Sequence, residues 1–214
     1  MSITNIVISV AMLFTLPLLL AKVYERMDKE LGIQVSKQDI ITFAVVAICV
    51  GIGINLVDYN TLEIIHLSII LSYLFYMSYT DQKTKLLYSS ISLGMLILEA
   101  TLVIIKFNQL NINTFTWTII LVPVILFVLS IFKGIGQGDV LIYSVLCLYY
   151  IQIRSIPTLS MLLNIIITNV MFIISAVVYK LYRKIKYKES SKGESLPLTI
   201  YIAISTVICS ILLI

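Results

Sequence analysis

Two aspartates have the residue type and the setting for acid–base chemistry. Asp81 stands in Ser78-Tyr79-Thr80-Asp81-Gln82-Lys83, where one apolar run ends, and Asp139 in Gly134-Ile135-Gly136-Gln137-Gly138-Asp139-Val140-Leu141, where another begins. Two carboxyl groups a few ångströms apart cannot both ionise cheaply, so such a pair holds one proton between them near neutral pH. That state suits amide hydrolysis: the ionised partner takes a proton from water and the protonated one donates to the carbonyl. Gly134, Gly136 and Gly138 alternate ahead of Asp139. Glycine permits positive φ and close backbone approach, so this segment can bend at a helix start and leave room beside the acid. A phosphate loop does not fit, because no Lys-Ser/Thr follows the glycines and no strand precedes them. Each acid alone has a plainer use, Asp139 as a helix N-cap and Asp81 as an interfacial loop charge. Their shared membrane depth, derived next, favours the pair.

The elements that must position these acids are membrane helices. The chain has 214 residues, 60% hydrophobic and 12% charged, against about 45–50% and about 25% in a soluble domain. A span needs ~20 mainly apolar residues to cross ~30 Å of hydrocarbon. Eight runs qualify: Ile3–Ala21, Asp39–Leu56, Leu62–Thr80, Tyr88–Ile105, Phe115–Phe132, Asp139–Ile151, Thr158–Leu181 and Leu196–Ile214. The sixth is short, and is expected to start before Asp139, to tilt, or to be shielded by neighbours. No Lys or Arg precedes the first run, so it reads as a retained span and not as a signal peptide. With the first loop placed inside, cytoplasmic loops hold 13 of the 15 Lys and Arg residues and the opposite loops hold Lys106 and Arg154. The positive-inside rule then sets both termini outside and both aspartates at the cytoplasmic boundary. The expected fold is all-α: one polytopic transmembrane bundle of about eight spans, residues 1–214.

Around Asp139 the chain resembles the type IV prepilin peptidase family, membrane aspartic peptidases with a G-x-G-D motif, which Gly136-Gln137-Gly138-Asp139 matches in full. Asp81 matches the family's first aspartate, although Tyr88 and Ser89 stand where the family has Pro and Asn or Asp. Leu196-Pro197-Leu198-Thr199 resembles the start of the I-P-F-G-P-like stretch that opens the family's last span, and departs after it. The resemblance implies Asp81 and Asp139 as the catalytic pair, Gly136 and Gly138 as shapers of their loop, and a prepilin-like or pseudopilin precursor as substrate, cut at the cytoplasmic face of the plasma membrane. It implies neither metal nor organic cofactor. The first cytoplasmic loop, Lys22 to Gln38, contains no cysteine, so the N-methyltransferase activity linked to a cysteine-bearing insert there is not expected. Presenilin and signal peptide peptidase share G-x-G-D, but they place Tyr before the first Asp, where this chain has Thr80. A transporter or membrane assembly protein whose aspartates bind a cation or cap helices is a third reading, and the inverted repeats that would favour it are not visible.

Other residues have bounded roles. Lys83 and Lys85 are candidate supporting residues, holding the end of the third span at the headgroups or tuning Asp81. Glu99 and His66 both fall in the outer halves of their spans and are expected to meet as structural glue. Asn164 and Asn169 are expected to hydrogen-bond between helices. Trp117, Tyr149 and Tyr150 read as interfacial anchors, and Pro17 and Pro123 as kinks. Cys49, Cys147 and Cys209 form no C-x-x-C pair and read as small apolar packing residues. The basic residues lie in short loops beside apolar spans, which argues against a nucleic-acid partner.

Overall fold

The computed structural model describes residues 2–27, 34–57, 59–84, 89–107, 119, 121–131, 136–153, 157–187 and 196–212. Eight α-helices run through these residues: α1 Ile3–Met27, α2 Lys37–Ile54, α3 Thr61–Thr84, α4 Ser89–Lys106, α5 Leu121–Ile131, α6 Gln137–Ile153, α7 Pro157–Tyr187 and α8 Thr199–Leu212. The described residues contain no strand. Helices are what lipid dictates, because each satisfies its own backbone groups. All eight expected spans correspond to helices, with shifted ends. Five are long and apolar enough to cross a membrane, and α5 and α8 are shorter apolar helices. The bilayer requirement is visible on the outside: Val7, Ile41, Val45, Ile104, Ile125 and Ile173 are exposed, a surface that water would not tolerate at this density.

Successive helices run up and down, so one end of the bundle gathers the ends of α1 and α3 and the starts of α2, α4 and α8. Contacts there include Tyr24 Oη to Ser90 Oγ at 2.8 Å and Lys83 Nζ to Asp39 Oδ2 at 3.2 Å. At the other end Tyr59 donates to the Ser210 carbonyl at 2.7 Å.

The interior is built around α3 and α6. Two thirds of the apolar stretch of α3 is buried, against about a fifth or less in α1, α2, α4 and α7. Helix α6 packs against α4, α5, α7 and α3 and buries Ile142, Tyr143, Val145, Leu146, Tyr149 and Tyr150. This explains its modest length and hydropathy: neighbours shield it, and it starts before Asp139, two of the three ways out anticipated for it. The same position corrects the reading of Tyr149 and Tyr150 as interfacial anchors. Both are fully buried. Tyr149 packs edge-on against His66, with ring centroids 5.2 Å apart, and Tyr150 Oη accepts from Asn164 Nδ2 at 3.0 Å. Trp117 lies outside the described residues.

Small and polar residues fasten the helices, as expected where lipid removes the hydrophobic drive for association. At Gly51 an added Cβ would come 2.5 Å from Val10 Cγ2, so only glycine lets α1 and α2 approach this closely. Asn55 Nδ2 locks the contact, donating to Ser9 Oγ at 2.9 Å and to the Gly51 carbonyl at 2.7 Å. Asn164 also donates to Thr206 Oγ1 at 2.9 Å, and its Oδ1 accepts from Ser205 at 3.1 Å, joining α6, α7 and α8. Asn169 departs from expectation: it donates to the Ile165 carbonyl of its own helix at 2.8 Å. Pro17 lies inside α1, whereas Pro123 falls in the first turn of α5, where a missing N–H costs nothing and no kink is required. Cys147 and Cys209 are buried as packing residues, and Cys49 is exposed.

Candidate active site

Asp81 does not end α3. The helix continues through it to Thr84, which fixes the Asp81 Cα one turn inside a rigid element. Its carboxyl points at the start of α8. Thr199 Oγ1 donates to Asp81 Oδ2 at 2.8 Å, and the Thr199 backbone N–H lies 3.5 Å from the same oxygen. Thr199 is fully buried. Leu198 precedes it, with a carbonyl that accepts from Tyr201 and Ile202 N–H at 3.0 and 3.3 Å, so Leu198 is the N-cap and Thr199 the first helical residue. Asp81 thus supplies an acceptor to donors that the start of α8 would otherwise leave open.

Asp139 is held by its own motif. The Gly136 carbonyl accepts from Asp139 N–H at 3.1 Å and from Val140 N–H at 3.3 Å, so Gly136 is the N-cap of α6 and Asp139 the third helical residue. The Asp139 carboxyl in turn accepts from the Gly136 backbone N–H. This is the half of a capping box in which the third residue reaches back to the cap. Asp139 is therefore not the N-cap that its simpler reading supposed. The glycine works differently too. Gly136 does not adopt a positive φ; an added Cβ would sit 3.0 Å from Asp139 Oδ2. Its value is space against the acid, the second of the two properties expected of it. Gly138 occupies the first turn of α6, and Gly134 lies outside the described residues.

The fold sets the two aspartates at the same end of the bundle. Asp139 is partly buried and lies within reach of the Asp81 charge. One turn further along α6, Tyr143 is hydrogen-bonded to Thr168 of α7, and Thr168 Oγ1 meets Ser205 Oγ of α8 at 2.7 Å. The helix bearing Asp139 and the helix capped by Asp81 are thereby tied through buried hydroxyls.

Lys83 is not at Asp81. Its ammonium pairs with Asp39 and lies 5.6 Å from the centre of the Tyr79 ring, while Tyr79 Oη donates to Asp39 Oδ2 at 3.3 Å. Asp39 also closes a full capping box with Ser36 at the start of α2. Lys85 lies outside the described residues. A cleft of about 310 Å³ opens between α2, α3 and α8, lined by residues that include Asp39, Phe43, Val46, Phe75, Gln82 and Ile204. Neither Asp81 nor Asp139 lines it. Sequence reasoning missed Thr199 as a partner of Asp81. The available signal was a hydroxyl residue two places after Pro197, where a helix can begin.

At the other end of the bundle, His66 and Glu99 meet as anticipated. His66 Nε2 lies 2.9 and 3.0 Å from the two Glu99 carboxyl oxygens. Gln152 was not foreseen as the third member; its Nε2 donates to Glu99 Oε2 at 2.7 Å.

Searches among curated proteins and among solved structures returned no match. Residues 68–214, from the first turns of α3 to the C-terminus and including both aspartates and Thr199, match the type IV leader peptidase family. The chain belongs to the type IV leader peptidase family.

Proposed function

We propose that the protein is an aspartic endopeptidase that removes the short leader of prepilin-like precursors at the cytoplasmic face of the plasma membrane. The observation that supports this reading is the placement of Asp81 and Asp139 at one end of the bundle, within electrostatic reach of each other, one on a rigid helix and one in the first turn of another. The family match supports the peptidase class.

With one proton on the pair, the ionised aspartate removes a proton from a water molecule. The water oxygen bonds to the scissile carbonyl carbon, and the other aspartate passes its proton to the carbonyl oxygen. Collapse of the tetrahedral intermediate breaks the C–N bond, and a proton returned to nitrogen releases the new N-terminus. A site at the headgroup level lets water reach the bond while the substrate's hydrophobic helix stays in lipid. The orientation, with both termini outside, follows from the Lys and Arg asymmetry. No methyl transfer accompanies cleavage, because the loop between α1 and α2 holds no cysteine.

The test is co-expression with prepilin-like precursors, following leader removal by mass spectrometry in wild type, Asp81→Asn and Asp139→Asn. Wild type should trim the precursor to an unmethylated product, and each variant should leave it intact. Trimming that persists undiminished in either variant would overturn the reading.

A further inference from the structure

We infer that Thr199 is a positioning residue for the peptidase pair: its hydroxyl pins one oxygen of Asp81 so that the other is presented to water and to Asp139. This rests on the proposal that Asp81 and Asp139 are the catalytic pair. Among the described residues, the hydrogen bonds to Asp81 all arrive at Oδ2 and all come from Thr199. From the described residues Oδ1 receives none, so the geometry fixes the carboxyl plane and leaves that oxygen uncommitted among them. A hydroxyl can pin an oxygen this way only if it is itself immobile. Thr199 is fully buried, β-branched, and sits in the first turn of a 14-residue helix whose Ser205 and Thr206 are tied to Thr168 and Asn164 of α7.

No other described group competes for Oδ2. Helix α6 brings Asp139 and Tyr143 to this end, and Tyr143 is engaged by Thr168. Helix α8 carries no charged residue, and Lys83 is paired with Asp39. The last turns of α1 carry Lys22, Glu25 and Arg26, none of which is hydrogen-bonded to Asp81. Thr199 is also not the helix cap, since Leu198 is. Removing its hydroxyl therefore acts on Asp81 and not on the helix start.

The experiment compares full-length wild type with Thr199→Val and Thr199→Ser in liposomes, using a precursor with a basic leader ahead of an apolar helix. Valine keeps the shape and loses the donor. Its kcat should fall on the order of thirtyfold, the effect of one lost hydrogen bond to a charged group, with KM within about twofold because ground-state binding is untouched. Serine should recover most of the rate. Thermal unfolding of each purified variant reports the fold independently. A Thr199→Val enzyme with undiminished kcat, or a Thr199→Ser enzyme as slow as Thr199→Val, overturns the inference while leaving the catalytic pair standing. Undiminished cleavage by Asp81→Asn or by Asp139→Asn removes the pair, and the inference with it.

Discussion

Two groups of buried or partly buried acids lie at opposite ends of the same bundle, and their surroundings differ in kind. Glu99 is fully buried, with His66 against both carboxyl oxygens and Gln152 donating to Oε2. Its partners come from α3 and α6, so three helices meet at one satisfied carboxyl. Asp81 and Asp139 are each partly exposed, each accepts from donors at one helix start, and the two lie within electrostatic reach of each other. A buried acid with its partners in place is inert fastening, because any change leaves a polar atom unpaired. An acid with an uncommitted oxygen beside a like charge is poised for proton transfer. If the proposed function holds, partner count, more than depth in the membrane, separates structural from reactive carboxyls in this chain.

The strongest way to break that contrast is at the reactive end. Asp139→Asn preserves shape and the Gly136 geometry but ends proton sharing. Cleavage should drop by about three orders of magnitude or more, with thermal stability close to wild type, read by precursor trimming and by melting of the purified protein. If instead Asp139→Asn unfolds the protein and spares the rate per folded molecule, the acid is structural and the contrast collapses. Gly136→Ala comes next. Its methyl would stand 3.0 Å from Asp139 Oδ2, tighter than ordinary contact, so the carboxyl must shift by a few tenths of an ångström. A misplacement of about 1 Å can cost about a hundredfold, so this smaller shift should cost on the order of tenfold, and kcat is the quantity to follow. The reverse outcome is expected at the other end: Glu99→Leu leaves His66 and Gln152 without their acceptor and should destabilise the bundle by roughly 3 kcal/mol. Cleavage per folded molecule should change by no more than about twofold. A large loss of kcat in stable Glu99→Leu protein would move that cluster into the catalytic machinery.

Much of this was legible before the structure, for physical reasons. Lipid leaves only helices, and spans of a set length, so the eight elements, with Asp81 and Asp139 at one end of the bundle, followed from hydropathy and charge. What escaped notice depended on which face of a helix points inward. Hydropathy cannot say this for a membrane helix, since lipid and core are both apolar. Tyr149 and Tyr150 therefore looked interfacial and proved to be core, and Asn169 looked interhelical while bonding its own turn. Thr199 escaped because its partner is 118 residues away in sequence, and a lone hydroxyl at a helix start has many ordinary uses. The role of Gly136 was half legible: the motif pointed to backbone freedom or close approach, and only coordinates could choose the second.

Lys83 supplies the smallest and most selective test. Proximity in sequence suggested that it tunes Asp81, whereas its ammonium is spent on Asp39 and on the face of Tyr79. The lysine side chain is 43% exposed and Asp39 15%, so the pair sits at the rim, where screening holds such contacts to about 0–1 kcal/mol. Lys83→Met keeps the aliphatic stem against Tyr79 and removes only the charge. Asp39 retains both Ser36 contacts and the Tyr79 hydroxyl, so α2 stays capped and the melting temperature should barely move. Cleavage should stay within about twofold of wild type. A tenfold change in kcat at unchanged stability would mean that the lysine charge reaches Asp81 after all. The reactive end would then have a neighbour that the hydrogen bonds do not reveal, and counting partners would no longer suffice to tell the two kinds of acid apart.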